Sequence, residues 1–288
     1  MSDTYKLAIE DPEFLNSDSC RGIRLHLEYL KPEEVLRDKR IVSTVVIFGS
    51  ARLVSREAAE AAIAEAKAQL EKSPESAEAK KALARAQQQL SSSKYYEMAR
   101  QFAGIVSTYD QNASDGYELV VITGGGPGIM EAGNRGASEM GAYTIGLNIT
   151  LPFEQKPNPY ISPDLNFRFH YFAIRKMHFM KRAAVLACFP GGFGTMDELF
   201  EALTLVQTRI VSRIPILLFG SEFWKSLINW DRFVEEGVIS PEDLELITFC
   251  DSPWEGWNAV REFYHKKNQD YATGEGKGSG AATEEGEG

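Results

Sequence analysis

The residues best suited to chemistry fall in one short stretch, Cys188-Phe189-Pro190-Gly191-Gly192-Phe193-Gly194-Thr195-Met196-Asp197-Glu198. The apolar run Ala183 to Phe189 leads into it. Met196, Leu199, Phe200, Leu203, Val206 and Ile210 then recur on roughly one helical face, so the glycines occupy a strand-to-helix turn. Glycines let a ligand approach the backbone with no Cβ in the way. A helix start presents unpaired N–H groups and partial positive charge, which suit an anion. Asp197 and Glu198 are expected in the first helical turn, where they favour the helix dipole but would repel a phosphate directly beside them. That tension gives the carboxylates another part of the ligand to serve. On this stretch alone, an ordinary acidic helix start reads equally well.

Two further strand ends offer similar chemistry. Glu118 to Thr123 reads as a buried strand running into Gly124-Gly125-Gly126-Pro127-Gly128-Ile129-Met130-Glu131, a second candidate phosphate cradle. It is not the dinucleotide fingerprint, because the third glycine of that pattern would fall on Ile129, and no Gly-Lys-Ser/Thr follows to make a Walker loop. Ser43 to Ser50 reads as a buried parallel strand. It places Gly49 and Ser50 at a carboxyl end, where open sheets bind ligands. The Ser50 hydroxyl suits a phosphate or ribose, or an ordinary turn. Ala142 to Ile149 is a third strand, and the loop after it hangs Glu154 over the same crevice or out in solvent. Asn166 to Phe172 is a fourth, with Arg168 and His170 alternating with aromatics. Arg175 and Lys176 follow near a helix start, where the dipole disfavours cations. A basic pair there points to a compensating ligand, or to a solvated basic turn.

The elements that position these residues alternate strand with helix, so the expected fold is α/β, a doubly wound parallel sheet with helices on both faces. At 288 residues, one such domain with an insertion fits better than two. The insertion is a helical hairpin at about 54–93, rich in Ala, Glu, Lys and Gln, with helices expected over Glu57–Lys72 and Ser76–Leu90 and a separate amphipathic helix resuming at Tyr95. Residues 1–40 read as a helical extension, with a short helix over Gly22–Leu30 and a second starting at Pro32. Phe223–Glu236 and Pro253–Lys267 read as later helices, and 269–288 as a disordered tail. The formal charge of −10 argues against nucleic-acid binding. The three cysteines, Cys20, Cys188 and Cys250, form neither a disulfide framework nor a zinc spacing, and Cys188 reads as a buried thiol. No metal or cofactor is called for. With no cleavable signal pattern and no apolar run of membrane-spanning length, no membrane partner and a cytoplasmic location are expected.

The pair Gly124-Gly125-Gly126-Pro127-Gly128-Ile129-Met130-Glu131 and Pro190-Gly191-Gly192-Phe193-Gly194-Thr195-Met196-Asp197-Glu198, with Arg175-Lys176 between them, resembles the LOG (Lonely Guy) family. These are the cytokinin riboside 5′-monophosphate phosphoribohydrolases, long labelled possible lysine decarboxylases. The resemblance covers about residues 43–235 and implies a Rossmann-like domain, here 41–268, in a homodimer or larger assembly with pockets near subunit contacts. It implies hydrolysis of the N-glycosidic bond of a nucleoside 5′-monophosphate to a free base and ribose 5-phosphate. By the same resemblance Arg175 and Glu198 match the catalytic pair, and Glu154, Lys176 and Gly191, Gly192, Phe193, Gly194, Thr195, Met196 and Asp197 match substrate contacts. Ser50, Gly124, Gly125 and Gly126 join them from the reading of the strand ends. The chain departs from the family in carrying Asp197 where many members have Glu, in its hairpin and in its longer N-terminal segment. A related scaffold carries the molybdenum cofactor without hydrolysing a nucleotide, which leaves a phosphorylated-ligand carrier as the alternative. Decarboxylation would need a lysine Schiff base to pyridoxal phosphate, and no Ser-x-His-Lys-type segment is present.

Overall fold

The computed structural model describes residues 4–109, 118–152 and 156–273. Among these, seven strands form one sheet: β1 (Thr44–Phe48), β2 (Val120–Thr123), β3 (Thr144–Ile149), β4 (Asn166–Phe169), β5 (Ala183–Cys188), β6 (Ile216–Phe219) and β7 (Ile247–Cys250). Their order is β4-β3-β2-β1-β5-β6-β7, with every neighbouring pair parallel. The chain starts at the centre, steps outward to β4, then returns to lay β5 on the other side of β1. That reversal makes the carboxyl ends of β1 and β5 the topological switch point, where sheets of this kind hold ligands.

The helices are α1 (Pro12–Asn16), α2 (Arg21–Asp38), α3 (Arg56–Lys72), α4 (Ala77–Tyr109), α5 (Ile129–Glu139), α6 (Phe172–Lys181), α7 (Phe193–Gln207), α8 (Ser221–Leu227), α9 (Trp230–Glu235) and α10 (Pro253–Thr273). Every residue of β1 is buried, which is why it reads as an unbroken apolar run rather than an alternating one. Val46 and Phe48 join a layer with Leu36 of α2, Phe179 of α6, Leu199 and Val206 of α7 and Trp224 of α8. Val45 and Ile47 join the opposite layer, with Tyr96 and Phe102 of α4, Ile129 of α5 and Trp257 of α10. Both faces are therefore covered, as the doubly wound reading requires. No helix among the described residues is long and apolar enough to cross a membrane.

Several local expectations are corrected. α2 runs unbroken through Pro32 instead of dividing there. An interior proline removes one hydrogen bond, at a cost of about 3 kcal/mol, and here Pro32 and Leu36 are both buried, so packing outweighs the loss. The second leg of the hairpin and the amphipathic helix after it are one helix, α4, of 33 residues. Nothing between Leu90 and Tyr95 breaks a helix. Phe223–Glu236 divides into α8 and α9 because the Asn229 side chain accepts from Arg232 N and caps a new start. The edge strand β7 is an addition. It is short and only partly buried, so its periodicity is faint. α10 continues past Lys267 to Thr273, into the stretch assigned to the tail, and residues 274–288 lie outside the described residues.

Candidate active site

Ser50 ties the three turns together. Its N–H donates to Pro190 O at 3.0 Å and its carbonyl accepts from Ile129 N at 3.0 Å, so the β1 end is bonded to both the β5 and β2 turns. Its Oγ accepts from Arg52 N at 3.1 Å, leaving the hydroxyl proton to donate. Two glycines make this closeness possible. A Cβ on Gly49 would stand 2.6 Å from the Ile129 side chain, and Gly128 holds φ at +74° with the Ser50 carbonyl where a Cβ would stand. A side chain at Gly128 would be both strained and blocked.

The Gly124–Gly126 turn is held by a buried polar network. Thr123 Oγ1 accepts from Gly125 N at 3.0 Å and donates to Asn134 Oδ1 at 2.7 Å. Asn158 Nδ2 donates to Gly126 O at 3.0 Å and to Asn134 Oδ1 at 2.8 Å, while Asn158 N donates to Gly125 O at 2.9 Å. The Gly125 N–H is thus already used, so this turn differs from an open phosphate cradle at that position. Gly125 contributes shape, with φ of +73° and the Asn148 amide where a Cβ would stand. Gly124 clears the path of Arg175, whose guanidinium occupies the space a Cβ would take.

Arg175 projects from α6 across the ends of β2 and β3. Its Nε donates to Leu147 O at 2.7 Å and its Nη2 to Gly124 O at 3.5 Å. The guanidinium carbon lies 5.1 Å from the Phe179 ring centroid and 5.9 Å from that of Phe172. Burial lowers its pKa, and the nearby Glu198 charge works in the opposite direction. Lys176, next on α6, sits 2.9 Å from an Asp197 oxygen and 2.9 Å from a Glu201 oxygen. Burial alone would lower its pKa, but those carboxylates outweigh burial and raise it.

α7 begins at Phe193, three residues before the apolar pattern suggested, with Gly192 as its N-cap and no side-chain cap. The expected first-turn placement of Asp197 and Glu198 is therefore corrected: both lie in the second turn. An anion at the helix start and the carboxylates are then separated along the axis by roughly 7 Å, and the conflict between them falls away. Thr195 is buried with its N–H on Gly192 O at 3.0 Å, and Met196 N donates to the same carbonyl at 3.1 Å. Gly191 packs directly against the Thr195 side chain. Phe193 is 95% exposed. Glu198 is 7% exposed. Burial pushes its carboxyl up to about 7 from an ordinary 4.5; Lys176 and Arg175 pull it down, while Glu201 and Asp197 push it further up. Among the described residues its carboxylate takes no hydrogen bond. Cys188, at the end of β5, is fully buried and its thiol is pushed far up by that burial, as befits an inert core residue.

The structure therefore brings Ser50, Gly124, Gly125, Gly126, Arg175, Lys176 and Gly191 through Glu198 to one rim. Glu154 lies outside the described residues. Three contributors escaped the sequence reading. Asn134 and Asn158 carry the network, yet an isolated Asn gives no periodic signal. Glu201 was legible, since it stands one helical turn beyond Asp197 and Glu198.

Comparison with known proteins addresses the family of the chain. A family model described as possible lysine decarboxylase matches residues 130–260. The cytokinin riboside 5′-monophosphate phosphoribohydrolase LOG3 of Arabidopsis thaliana is 31% identical over 157 residues, which is 50% of this chain and 70% of that protein. Its relative LOG4, from the same plant, is 30% identical over 159 residues, again 50% of this chain and 70% of that one. Among solved structures, the molybdenum cofactor binding protein of Rippkaea orientalis aligns over 78% of this chain and 98% of its own, at 15% identity and a TM-score of 0.47. With the glycine turns, Arg175 and Glu198 gathered at the switch point and LOG3 matched over most of its length, the chain belongs to the LOG family.

Proposed function

We propose that the protein hydrolyses the N-glycosidic bond of a nucleoside 5′-monophosphate, releasing a free base and ribose 5-phosphate. The observation that carries this reading is Glu198, a buried carboxylate with no hydrogen-bond partner among the described residues, raised to about 7, beside Arg175 and Lys176. A general base works best when its pKa lies near the working pH.

In this mechanism the uncapped start of α7 receives the 5′-phosphate through N–H groups of the Gly192–Gly194 turn, with the Thr195 hydroxyl beside it. Arg175, already anchored on Leu147 O, presents its remaining donors to the phosphate or sugar. Lys176 and Asp197 form a neighbouring pair that borders the sugar. The bond from C1′ to the base nitrogen lengthens and positive charge develops on the ribose, as in other glycosyl transfers. Glu198 stabilises that charge and accepts a proton from the water whose oxygen bonds to C1′. The base leaves with the bonding electron pair and takes up a proton from solvent, and Glu198 returns the proton it took from water to solvent, which restores the carboxylate. Holding the remote phosphate accelerates the reaction only so far as it aligns C1′ with that water.

The test is to incubate the protein with AMP and with isopentenyladenosine 5′-monophosphate and follow free base and ribose 5-phosphate by chromatography. Release from either that falls about 100-fold or more in Glu198→Gln is expected, the size associated with losing a general base or an electrostatic stabiliser. The ratio of the two rates gives the base preference. No release from a folded protein that retains a bound phosphorylated pterin would transfer the reading to a carrier.

A further inference from the structure

Helix α6 carries both cations of the site, and the N-terminal extension holds it at its two ends. At the start of α6, Tyr171 is the N-cap and supplies no side-chain cap of its own. The Glu28 carboxylate of α2 reaches there instead, accepting from His170 N at 2.8 Å and Tyr171 N at 3.0 Å. One residue thus satisfies two backbone donors and places negative charge at the positive end of the helix dipole. At the other end Glu33, five residues further along α2, accepts from Arg182 at 2.6 and 3.0 Å and from Lys181 at 2.8 Å. Burial alone would raise the Glu33 carboxyl, but these partners outweigh it and hold the group at about 2. Between the two anchors the His178 ring lies 5.5 Å from both the Tyr29 and the Phe169 ring centroids, closing the gap between α2 and α6.

We infer that Glu28 is a positioning residue for the Arg175–Lys176 helix, and that the extension is part of the catalytic apparatus rather than a covering layer. The inference rests on the proposed assignment of Arg175 and Lys176 to substrate. The physical reason is the short path between them. Arg175 N donates to Tyr171 O at 3.3 Å, so the turn that Glu28 caps is the turn from which Arg175 projects. A shift there moves the guanidinium away from Leu147 O and Gly124 O, and Lys176 away from Asp197.

The experiment compares Glu28→Ala, Glu28→Gln and, as a control on the solvent side of the same helix, Glu34→Ala, all in the full chain. Steady-state kinetics with AMP are paired with amide hydrogen exchange over residues 170–176. The Glu28→Ala variant is expected to exchange faster at Tyr171 through Arg175 and to raise KM about tenfold, a loss in keeping with a small misplacement of a binding group. Glu28→Gln keeps one acceptor oxygen and recovers part of both effects, and Glu34→Ala changes neither. Unchanged local exchange in Glu28→Ala, or exchange raised uniformly across the chain, overturns the inference. So does faster local exchange with KM unchanged. If the wild type hydrolyses no monophosphate, the functional reading fails separately. The inference is then judged by the same exchange data with AMP affinity from calorimetry: faster local exchange with weakened AMP binding supports it, and unchanged binding overturns it.

Discussion

At the scale of single residues, the site is a problem of placing charge. Glu198 sits beside two cations and two other carboxylates, yet burial dominates and its carboxyl is raised to about 7. Two outcomes follow from one cause. The rate should climb with pH as Glu198 loses its proton, with kcat/KM rising through about 7 and then levelling. Stability should move the other way. A carboxyl whose folded pKa exceeds its unfolded value stabilises the fold fully below the unfolded pKa, and that contribution is lost as pH rises through the folded one. Between pH 4.5 and about 7 the wild type therefore loses stability, on the order of 3 kcal/mol. Glu198→Gln escapes this loss. Its melting temperature at pH 8 should exceed that of the wild type while its turnover collapses, and calorimetry at pH 5 and pH 8 reads the difference. A variant no more stable than wild type at pH 8 would contradict the placement of an uncompensated carboxylate here.

At the scale of elements, the hairpin of α3 and α4 divides into a docked base and a free arm. The base is tied in: Arg56 N donates to Glu97 at 3.0 Å, and Glu57 faces Arg100 at 3.8 Å and Arg135 at 4.0 Å. Beyond it, Ala66, Ala79 and Ala86 pack one leg on the other and contribute no group to the rim of the sheet. Because α4 continues unbroken into the core helix, an excision must leave Tyr96, Ala99 and Phe102 in register. Replacing residues 62–86 by a short Gly-Ser loop does so, and hydrolysis should stay within about twofold, since surface changes remote from such features have small effects. A loss of activity in a protein that remains folded would give the arm a part in the reaction.

At the scale of the whole molecule, α6 and α7, the helices that carry the site, also expose large apolar side chains. Phe172 and Met177 are each 52% exposed, Phe200 is 37% exposed, and Phe193 stands almost free at the start of α7. Exposed apolar side chains on such helices suit a contact with another molecule where they form one patch. We propose a homodimer or larger homo-oligomer closing on α6 and α7 as the occupant. Sedimentation at micromolar protein should show the assembly, and a monomer there would leave these side chains for the substrate alone.

Legibility followed the physics at each scale. The strand-turn-helix units were readable because buried parallel strands are continuous apolar runs and because glycine turns have few alternatives. Glu198 could be singled out because it follows such a turn, and Arg175 because it stands near a helix start where the dipole disfavours a cation, while their pairing as catalytic residues came from the resemblance to the LOG family. Asn134 and Asn158 could not be named, since their partners come from three separate segments that only the fold brings together. The start of α7 was misplaced by three residues because an uncapped glycine turn carries no apolar signal. By itself the sequence determined the alternation of strand and helix, the glycine turns and the residue types at the rim, all local in the chain. The tertiary structure decided that Ser50 bonds two turns at once, that Glu28 caps a helix 142 positions away, and that Glu198 is buried enough to hold its proton near neutral pH. Each of these depends on groups distant in sequence meeting where water is excluded, and no local pattern encodes that meeting.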